Sequence, residues 1–356
     1  MTVIDLTATG GNMKQTSHQQ QRHSVDTIET TYPVKSVTFN TCSDLYLQWS
    51  SRKRMYAKAA LGLAVRIEYA DTIDQCTNVD QPLTILALHG APGSHHDFKP
   101  FIEYFGSKNI RIIVPNYPDF NLTIRSKVFR HSAEEKYHFV KEFLQAINVQ
   151  SIDLLLAHSS AIYPAVLLSD DTRSNVKIRS VAFFNPAGHR RIMAMRPAWF
   201  TEGSVKVYQN KLGRMVFNAF GKSFIKATNT VTVKPENMNN VILSAQTMRY
   251  SNYKQLEKGL VNLRDSGKPS LWVFSKNDRL VEKEIFYEMV DIMGAKDENF
   301  QTYDDNGTLI SKYQNDSNLR VIAFEIGGHY AFLKYSDEVI DQCDKFLNFV
   351  NQLKKG

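Results

Sequence analysis

The sequence predicts an α/β fold built on a doubly wound, mostly parallel sheet. Short apolar runs typical of strands alternate with segments of helical periodicity along most of the chain. The 356 residues have globular composition, with 43% hydrophobic and 22% charged residues. Small and polar residues follow several of the apolar runs, as they do where a parallel sheet carries function at the carboxyl ends of its strands.

The elements follow in chain order. Short apolar runs predict strands over residues 37–39, 63–69, 83–88, 110–114, 152–157, 181–184, 271–274 and 321–325. Helical periodicity predicts helices over residues 133–147 and 161–168, from about 282, and from about 337. Ser132 and Glu135 have the spacing of a capping box at the beginning of the first helix. The Asp-Asn-Gly sequence at 305–307 predicts a hairpin between residues 300–303 and 309–313.

Composition divides the chain into four parts. Residues 1–36 are rich in Gln, Ser, Thr and His, which predicts a mostly disordered tail. Residues 37–188 and 251–356 are the two parts of the α/β core. Residues 189–250, here called the basic segment, contain ten Lys or Arg and two Glu, a balance of +8 in a chain of net charge +7. This one segment therefore carries the whole basic excess.

Several classes of protein are excluded or disfavoured. Cys42, Cys76 and Cys343 are too few and too scattered for a disulfide framework or a cysteine-rich metal site. The longest uncharged, mainly hydrophobic run has 16 residues, from 154 to 169, whereas a spanning helix needs about 20. No signal or transit peptide is recognisable, so we expect a cytoplasmic protein. The adjacent His95, His96 and Asp97 do not form a metal pattern, and we expect no cofactor and no metal.

A serine lies on a predicted sharp turn between a strand and a helix. Residues 157–161 read Ala-His-Ser-Ser-Ala, and small residues two positions on either side of Ser159 would let strand and helix approach. Such a turn exposes the serine hydroxyl as a nucleophile. The usual pattern has glycine at both flanks, where this chain has alanine. A helix N-cap serine is the alternative interpretation of Ser159.

A second turn follows the strand predicted at 83–88. Residues 89–94 read His-Gly-Ala-Pro-Gly-Ser. A tetrahedral oxyanion needs two fixed backbone donors. The N–H groups of Ala91 and Ser160 are the candidates, because Pro92 has no N–H. An ordinary Gly/Pro loop is the alternative.

Two further turns supply an acid and a base. Asp278 follows the strand predicted at 271–274, and His329 follows the strand predicted at 321–325. A serine hydroxyl needs an imidazole base near neutral pH, and that base needs a carboxylate to fix its tautomer. A solvated aspartate and a buried histidine are the alternatives for each residue taken alone.

These four turns, in this order, resemble the α/β-hydrolase fold superfamily. The resemblance covers about residues 60–188 and 251–350 and includes residues 89–93, the strand 112–115 before Asn-Tyr-Pro, and Gly-Gly-His at 327–329. It is closest to the branch of epoxide hydrolases and carbon–carbon-bond hydrolases, and the chain also resembles a nematode-type group of uncharacterised hydrolases. The resemblance implies an eight-stranded sheet and a helical lid after the sixth strand. It also implies that Ser159, Asp278 and His329 are nucleophile, acid and base.

The chain departs from the family pattern at several positions. Epoxide hydrolases have an aspartate where this chain has Ser159, which favours acyl transfer to water over epoxide chemistry. Members that take their acid after the sixth strand need a carboxylate near residue 185, where this chain has Asn185, so Asp278 is preferred. Residues 119 and 121 are Asp and Asn where glycine is usual. Because of these changes and of the alanines that flank Ser159, a catalytically inactive site remains an alternative.

The basic segment coincides with the lid position. Its apolar residues recur at helical spacing, and three of them are candidate substrate contacts: Met215, Phe220 and Phe224. Three interpretations remain: a lid helix packed on the core with a solvated basic face, a site that attracts an anionic acyl substrate, or a surface that rests on anionic lipid. Nucleic acid is not expected as a partner, since no aromatic and basic strip occurs.

The sequence therefore predicts a serine hydrolase that cleaves a carboxylic ester or thioester through an acyl-enzyme. The expected partner is a small acyl substrate, either anionic or lipid-like. Two alternatives remain. The same triad can hydrolyse a carbon–carbon bond of a diketone-like substrate, or the fold can bind ligand without turnover.

Overall fold

The computed structural model describes residues 31–353 except 78–80, 119–127, 173, 209, 211, 217–218, 220–237 and 314–316. Most of the predicted tail, residues 1–30, lies outside the described part, as do residues 119–121, where an altered loop was expected. Strand β1 begins at Val34, so residues 34–36 of the predicted tail are part of the sheet. Alternating exposure along β1 accounts for this, because every second side chain faces the core.

One sheet of ten strands forms the centre of the molecule, and a pair of two-residue strands, β5 and β7, lies apart from it. The strands are β1 Val34–Thr41, β2 Leu63–Asp71, β3 Thr84–Leu88, β4 Arg111–Pro115, β5 Ser151–Ile152, β6 Leu154–His158, β7 Lys177–Ile178, β8 Val181–Phe184, β9 Ser270–Ser275, β10 Phe300–Tyr303, β11 Leu309–Ser311 and β12 Leu319–Phe324. The order in the large sheet is β1-β2-β4-β3-β6-β8-β9-β12-β10-β11. Within this order, the neighbouring strands β4, β3, β6, β8, β9, β12 and β10 are parallel to one another. Strands β2 and β11 are antiparallel to their neighbours.

The predicted mostly parallel α/β architecture is confirmed, but the sheet has ten strands rather than eight. The difference is the hairpin predicted at residues 300–313. Its first strand, β10, pairs in parallel with β12, and its second, β11, pairs antiparallel with β10. The hairpin therefore extends the edge of the main sheet instead of standing apart from it.

The described α-helices with defined bounds are Ser43–Trp49, Arg54–Lys58, Lys99–Ser107, Ala133–Ala146, Ile162–Asp170, Ala198–Tyr208, Met238–Arg249, Tyr253–Asp265, Lys283–Ile292, Ala331–Lys334 and Ser336–Leu353. The predicted capping box is present, since Ser132 accepts from the N–H of Glu135 and the Glu135 carboxylate accepts from the N–H of Ser132. None of the helices in the described part is long and apolar enough to cross a membrane.

Alternation along the strands explains why both faces of the sheet are covered. In β3, Leu86 and Leu88 belong to one hydrophobic cluster, whereas Ile85 and Ala87 belong to another on the opposite face. The first cluster includes Phe139 from the helix Ala133–Ala146, and the second includes residues of the helices Lys99–Ser107 and Ser336–Leu353. Since β3, β6, β9 and β12 are parallel, the turns that follow them all lie at one edge of the sheet.

Candidate active site

Ser159 follows β6 directly, and the helix Ile162–Asp170 begins three residues later. Its φ angle is 54°, in the left-handed region that non-glycine residues rarely adopt. This conformation turns the chain sharply from strand to helix. The turn packs closely on the neighbouring loop, because a Cβ built at Gly90 would lie 2.9 Å from the Ser159 Cβ and 3.0 Å from the His158 Nδ1. Glycine at position 90 is therefore what allows the two turns to touch.

The structure brings the three predicted catalytic residues together. The Nε2 of His329 lies 2.8 Å from the Ser159 Oγ, and its Nδ1 lies 2.7 Å from the Asp278 Oδ2. The other carboxylate oxygen of Asp278 accepts from the backbone N–H of Leu280 at 2.8 Å and of Val281 at 3.2 Å. A continuous line of hydrogen bonds thus joins a hydroxyl, an imidazole and a carboxylate that lie far apart in the sequence.

The electrostatics of this line favour an ionised carboxylate. Burial alone would raise the pKa of Asp278, but the His329 ring and the N–H groups of Leu280 and Val281 lower it below its ordinary value. An ionised carboxylate can only accept hydrogen bonds, so His329 donates its Nδ1–H to Asp278. In the neutral tautomer that carries this Nδ1–H, the Nε2 can accept a hydrogen bond from the Ser159 hydroxyl.

Asn185 has a position at the site that sequence analysis missed. In the sequence, Asn185 is notable only because it occupies the position where a carboxylate could follow β8. Its Nδ2 donates to the Asp278 Oδ2 at 3.0 Å and to the Gly328 carbonyl at 3.1 Å. The Ser275 hydroxyl also donates to that carbonyl, at 2.6 Å. A polar residue at the end of the buried run Val181–Phe184 was the available signal. Asn185 therefore connects Asp278 to the loop that carries His329.

His158 lies under the same loop. Its Nε2 is 3.0 Å from the backbone carbonyl of His329, and its ring packs against the rings of His329, Tyr330 and Phe332 at centroid distances of 4.7–5.0 Å. Burial, together with the neighbouring His329, lowers the pKa of His158 to about 3. The neutral ring therefore donates its Nε2–H to the His329 carbonyl, so it supports the loop rather than acting as a second base for Ser159.

The loop of Ala91 lies beside the turn of Ser160, because β3 and β6 pair with Leu88 opposite Ala157. The His89 side chain holds this loop in place through two hydrogen bonds. Its Nδ1 lies 2.7 Å from the Gly90 carbonyl, and its Nε2 accepts from the Tyr117 N–H at 3.1 Å. Burial lowers the pKa of His89 to about 3, so the ring is neutral and makes one bond as donor and one as acceptor. The oxyanion roles of Ala91 and Ser160 remain predictions.

The histidines that follow this loop have protein partners. The His95 Nδ1 lies 3.1 Å from the Asn116 Oδ1, and the His96 Nδ1 lies 3.2 Å from the Tyr32 hydroxyl. Within the described residues, no group of three His, Cys, Asp or Glu side chains is placed to hold a metal ion.

The candidate substrate contacts in the basic segment are only partly described. Phe220 and Phe224 lie outside the described residues. Met215 is 64% exposed, and Leu212 and Val216 are also exposed. The interpretation of this segment as a helix packed on the core is therefore wrong for these three side chains. The assignment of Met215 as a substrate contact remains a prediction.

Comparisons with known proteins agree with the fold. Residues 50–348 match the model of a family described as alpha/beta hydrolase of unknown function, DUF1057. The uncharacterized protein F35H12.5 of Caenorhabditis elegans is 26% identical over 94 residues, which span 25% of this chain and 26% of that protein. The match thus covers about a quarter of that relative.

Solved structures with the same fold include three hydrolytic enzymes. A thermophilic esterase of Thermogutta terrifontis is 15% identical with a TM-score of 0.52, over 89% of this chain and 99% of that one. A meta-cleavage product hydrolase of Pseudomonas fluorescens IP01 is 14% identical with a TM-score of 0.51, over 80% and 94%. The haloalkane dehalogenase DatA of Agrobacterium tumefaciens C58 is 14% identical with a TM-score of 0.54, over 88% and 97%. At these identities the likeness establishes the fold alone.

Proposed function

This chain belongs to that family of α/β hydrolases, and from this premise we propose that it is a serine hydrolase cleaving a carboxylic ester or thioester. One observation carries the proposal. Ser159 Oγ, His329 and Asp278 form an unbroken hydrogen-bonded line with distances of 2.8 and 2.7 Å. This arrangement can activate a hydroxyl for nucleophilic attack near neutral pH, whereas an N-cap serine would have no need of an oriented base.

The proposed reaction proceeds through an acyl-enzyme. The Ser159 oxygen attacks the acyl carbonyl while the His329 Nε2 accepts the hydroxyl proton, and Asp278 stabilises the resulting imidazolium. The N–H groups of Ala91 and Ser160 hold the oxyanion. Collapse of the tetrahedral intermediate breaks the bond to the alcohol or thiol, which takes the proton from His329. Water then attacks the acyl-enzyme with His329 as base, and the carboxylic acid and free Ser159 are released.

The place of the basic segment in the chain supports a role beside this site. It lies between β8 and β9, which are neighbours in the sheet, and β8 ends at Phe184, directly before Asn185. An insertion at this point emerges at the same edge as the serine turn. We propose that residues 189–250 form the lid between the core parts 37–188 and 251–356.

The test is turnover by the purified protein of a panel of p-nitrophenyl esters, acyl thioesters and diketones. We expect hydrolysis of at least one ester or thioester by the wild type and by Ser107→Ala, a control that changes an exposed serine outside the site. We expect Ser159→Ala to lose about 10³-fold or more of the rate. Cleavage of diketones alone would instead assign carbon–carbon hydrolysis. Absence of turnover across the panel by folded protein would favour a non-catalytic binding protein.

A further inference from the structure

Exposed apolar side chains are concentrated in one stretch of the basic segment. Trp199 is 76% exposed, Leu212 is 69% exposed, and Val207, Met215 and Val216 are exposed as well. We call these five residues the apolar stripe. Single exposed apolar residues are normal on a soluble protein, but several along one short stretch of chain indicate an interaction surface.

The first half of the apolar stripe lies on the helix Ala198–Tyr208. Trp199, Lys206 and Val207 are seven and eight residues apart, so they lie on one face of the helix. Nothing lies within 4 Å of a Cβ built at Gly203, so the middle of this face is open. The opposite face anchors the helix, because Val205 and Tyr208 are buried with Ile242 from the helix Met238–Arg249.

The second half of the apolar stripe lies on the helical residues 212–216. Leu212, Met215 and Val216 have the spacing i, i+3, i+4 and therefore share a face. Val207 connects this half to the first, since a Cβ built at Gly213 would lie 2.9 Å from the Val207 Cγ1. The two halves thus meet at this contact.

The charged side chains that accompany the apolar stripe are basic. Elsewhere in the basic segment, Arg190, Arg191 and Arg196 form ion pairs with glutamates. Lys206 lies on the exposed face of its helix, and helical spacing puts Arg214 on the side of residues 212–216 that is opposite to their apolar face. Neither of these two cations forms an ion pair with another described residue. The stripe is therefore accompanied by positive charge that no acidic side chain among the described residues neutralises.

We propose that the apolar stripe is a docking surface for an anionic phospholipid membrane. Amphipathic helices that bind such membranes place apolar side chains at the level of the acyl boundary and basic side chains against the headgroups. An exposed tryptophan suits the same level, because its ring is apolar and its N–H is polar. Lysine on the face itself argues against a protein partner, since lysine is depleted in protein–protein interfaces. The proposal does not depend on whether Ser159 is catalytic.

The experiment is cosedimentation of the purified full chain with vesicles of phosphatidylcholine, or of phosphatidylcholine and phosphatidylserine. We expect binding to the mixed vesicles, weakened by salt, and a blue shift of the tryptophan emission. Trp199 is the expected source of that shift, because Trp272 is fully buried and Trp49 is partly buried against the core. Changing Trp199→Gln together with Met215→Gln should weaken binding about tenfold or more. Lys206→Gln and Arg214→Gln should each weaken it about fivefold.

The matched control is Leu61→Gln, which removes an apolar side chain that is 83% exposed outside the basic segment. This variant should bind like the wild type. The proposal is overturned if folded protein does not sediment with the mixed vesicles, or if it binds neutral vesicles equally well. It is also overturned if changes in the apolar stripe leave vesicle binding intact.

Discussion

Replacing His158 with phenylalanine removes one hydrogen bond from the loop that carries His329 and keeps the bulk of the ring. The lost bond is the one from the His158 Nε2 to the His329 carbonyl, 3.0 Å long. A carbonyl left without a partner in a buried place costs about 1–3 kcal/mol of folding free energy. A shift of the base by a fraction of an ångström would lower the reaction rate about tenfold to a hundredfold. His158→Gln places an amide N–H near the Nε2 position and should restore much of both losses.

The same variant has a predictable pH dependence. The pKa of His158 is about 3 in the fold, because burial disfavours the charged ring, against about 6.5 for an ordinary histidine. As the pH falls, His158 is protonated in the unfolded chain before it is protonated in the folded protein. The free energy of unfolding is therefore unaffected by the titration of this residue above pH 6.5 and decreases as the pH falls towards 3. Between pH 7 and pH 5 the loss is about 2 kcal/mol. Phenylalanine does not titrate, so the stability gap between His158→Phe and the wild type should narrow by that amount.

Urea unfolding at pH 7 and pH 5 measures the stability, and the rate constant for labelling by a fluorophosphonate measures the reactivity of Ser159. Ser180→Ala is the matched control. It removes a buried bond, from the Ser180 hydroxyl to the Asp153 carbonyl, at the opposite end of β8. The control should lose stability but not reactivity. Equal labelling rates for His158→Phe and the wild type would refute the positioning role. An unchanged stability gap at pH 5 would refute the assignment of a neutral buried ring.

Three further variants test the site. Asp278→Asn leaves the geometry but removes the charge that fixes the His329 tautomer. Labelling of Ser159, followed as a time course, should therefore slow by about 10³–10⁴-fold. A near-normal rate would assign the acid to another residue. Gly90→Ala puts a Cβ 2.9 Å from the Ser159 Cβ. The rate of Ser159 labelling should fall about a hundredfold while the circular dichroism spectrum stays native. An unaffected labelling rate would contradict the close packing of the two turns. Asn185→Asp puts a second carboxylate beside Asp278, where the amide is now 3.0 Å from its Oδ2. The added negative charge stabilises the protonated form of the Asp278–His329 pair, so the acidic limb of the pH–rate profile should move to higher pH, and an unmoved limb would contradict that contact.

The fold was largely predictable because its signals are local. Each buried strand is a short apolar run, and β8 coincides with the predicted residues 181–184. The hairpin was also a local signal, carried by Asp-Asn-Gly at 305–307. Its attachment to the large sheet was not, because pairing of β10 with β12 depends on contacts that no short window contains.

In the candidate site, too, the residues with local signals could be predicted and those that depend on long-range contacts could not. Ser159, Asp278 and His329 could be selected from the turns on which they lie, since chemistry of this kind needs those residue types at strand ends. Asn185 and His158 could not be given roles, because their partners, Gly328 and the His329 carbonyl, lie more than a hundred residues away in the sequence. Both supporting bonds exist only after the sheet has brought those loops together.

The central claim is that Ser159 is an activated nucleophile. The most direct measurement is labelling of the purified wild type and of Ser159→Ala with a fluorophosphonate probe, followed by mass spectrometry of the peptides. We expect one adduct on Ser159, formed by the wild type and absent from the variant. Folded wild-type protein that stays unlabelled by this probe and by a smaller, more lipophilic one would contradict it, and so would an adduct on any other residue.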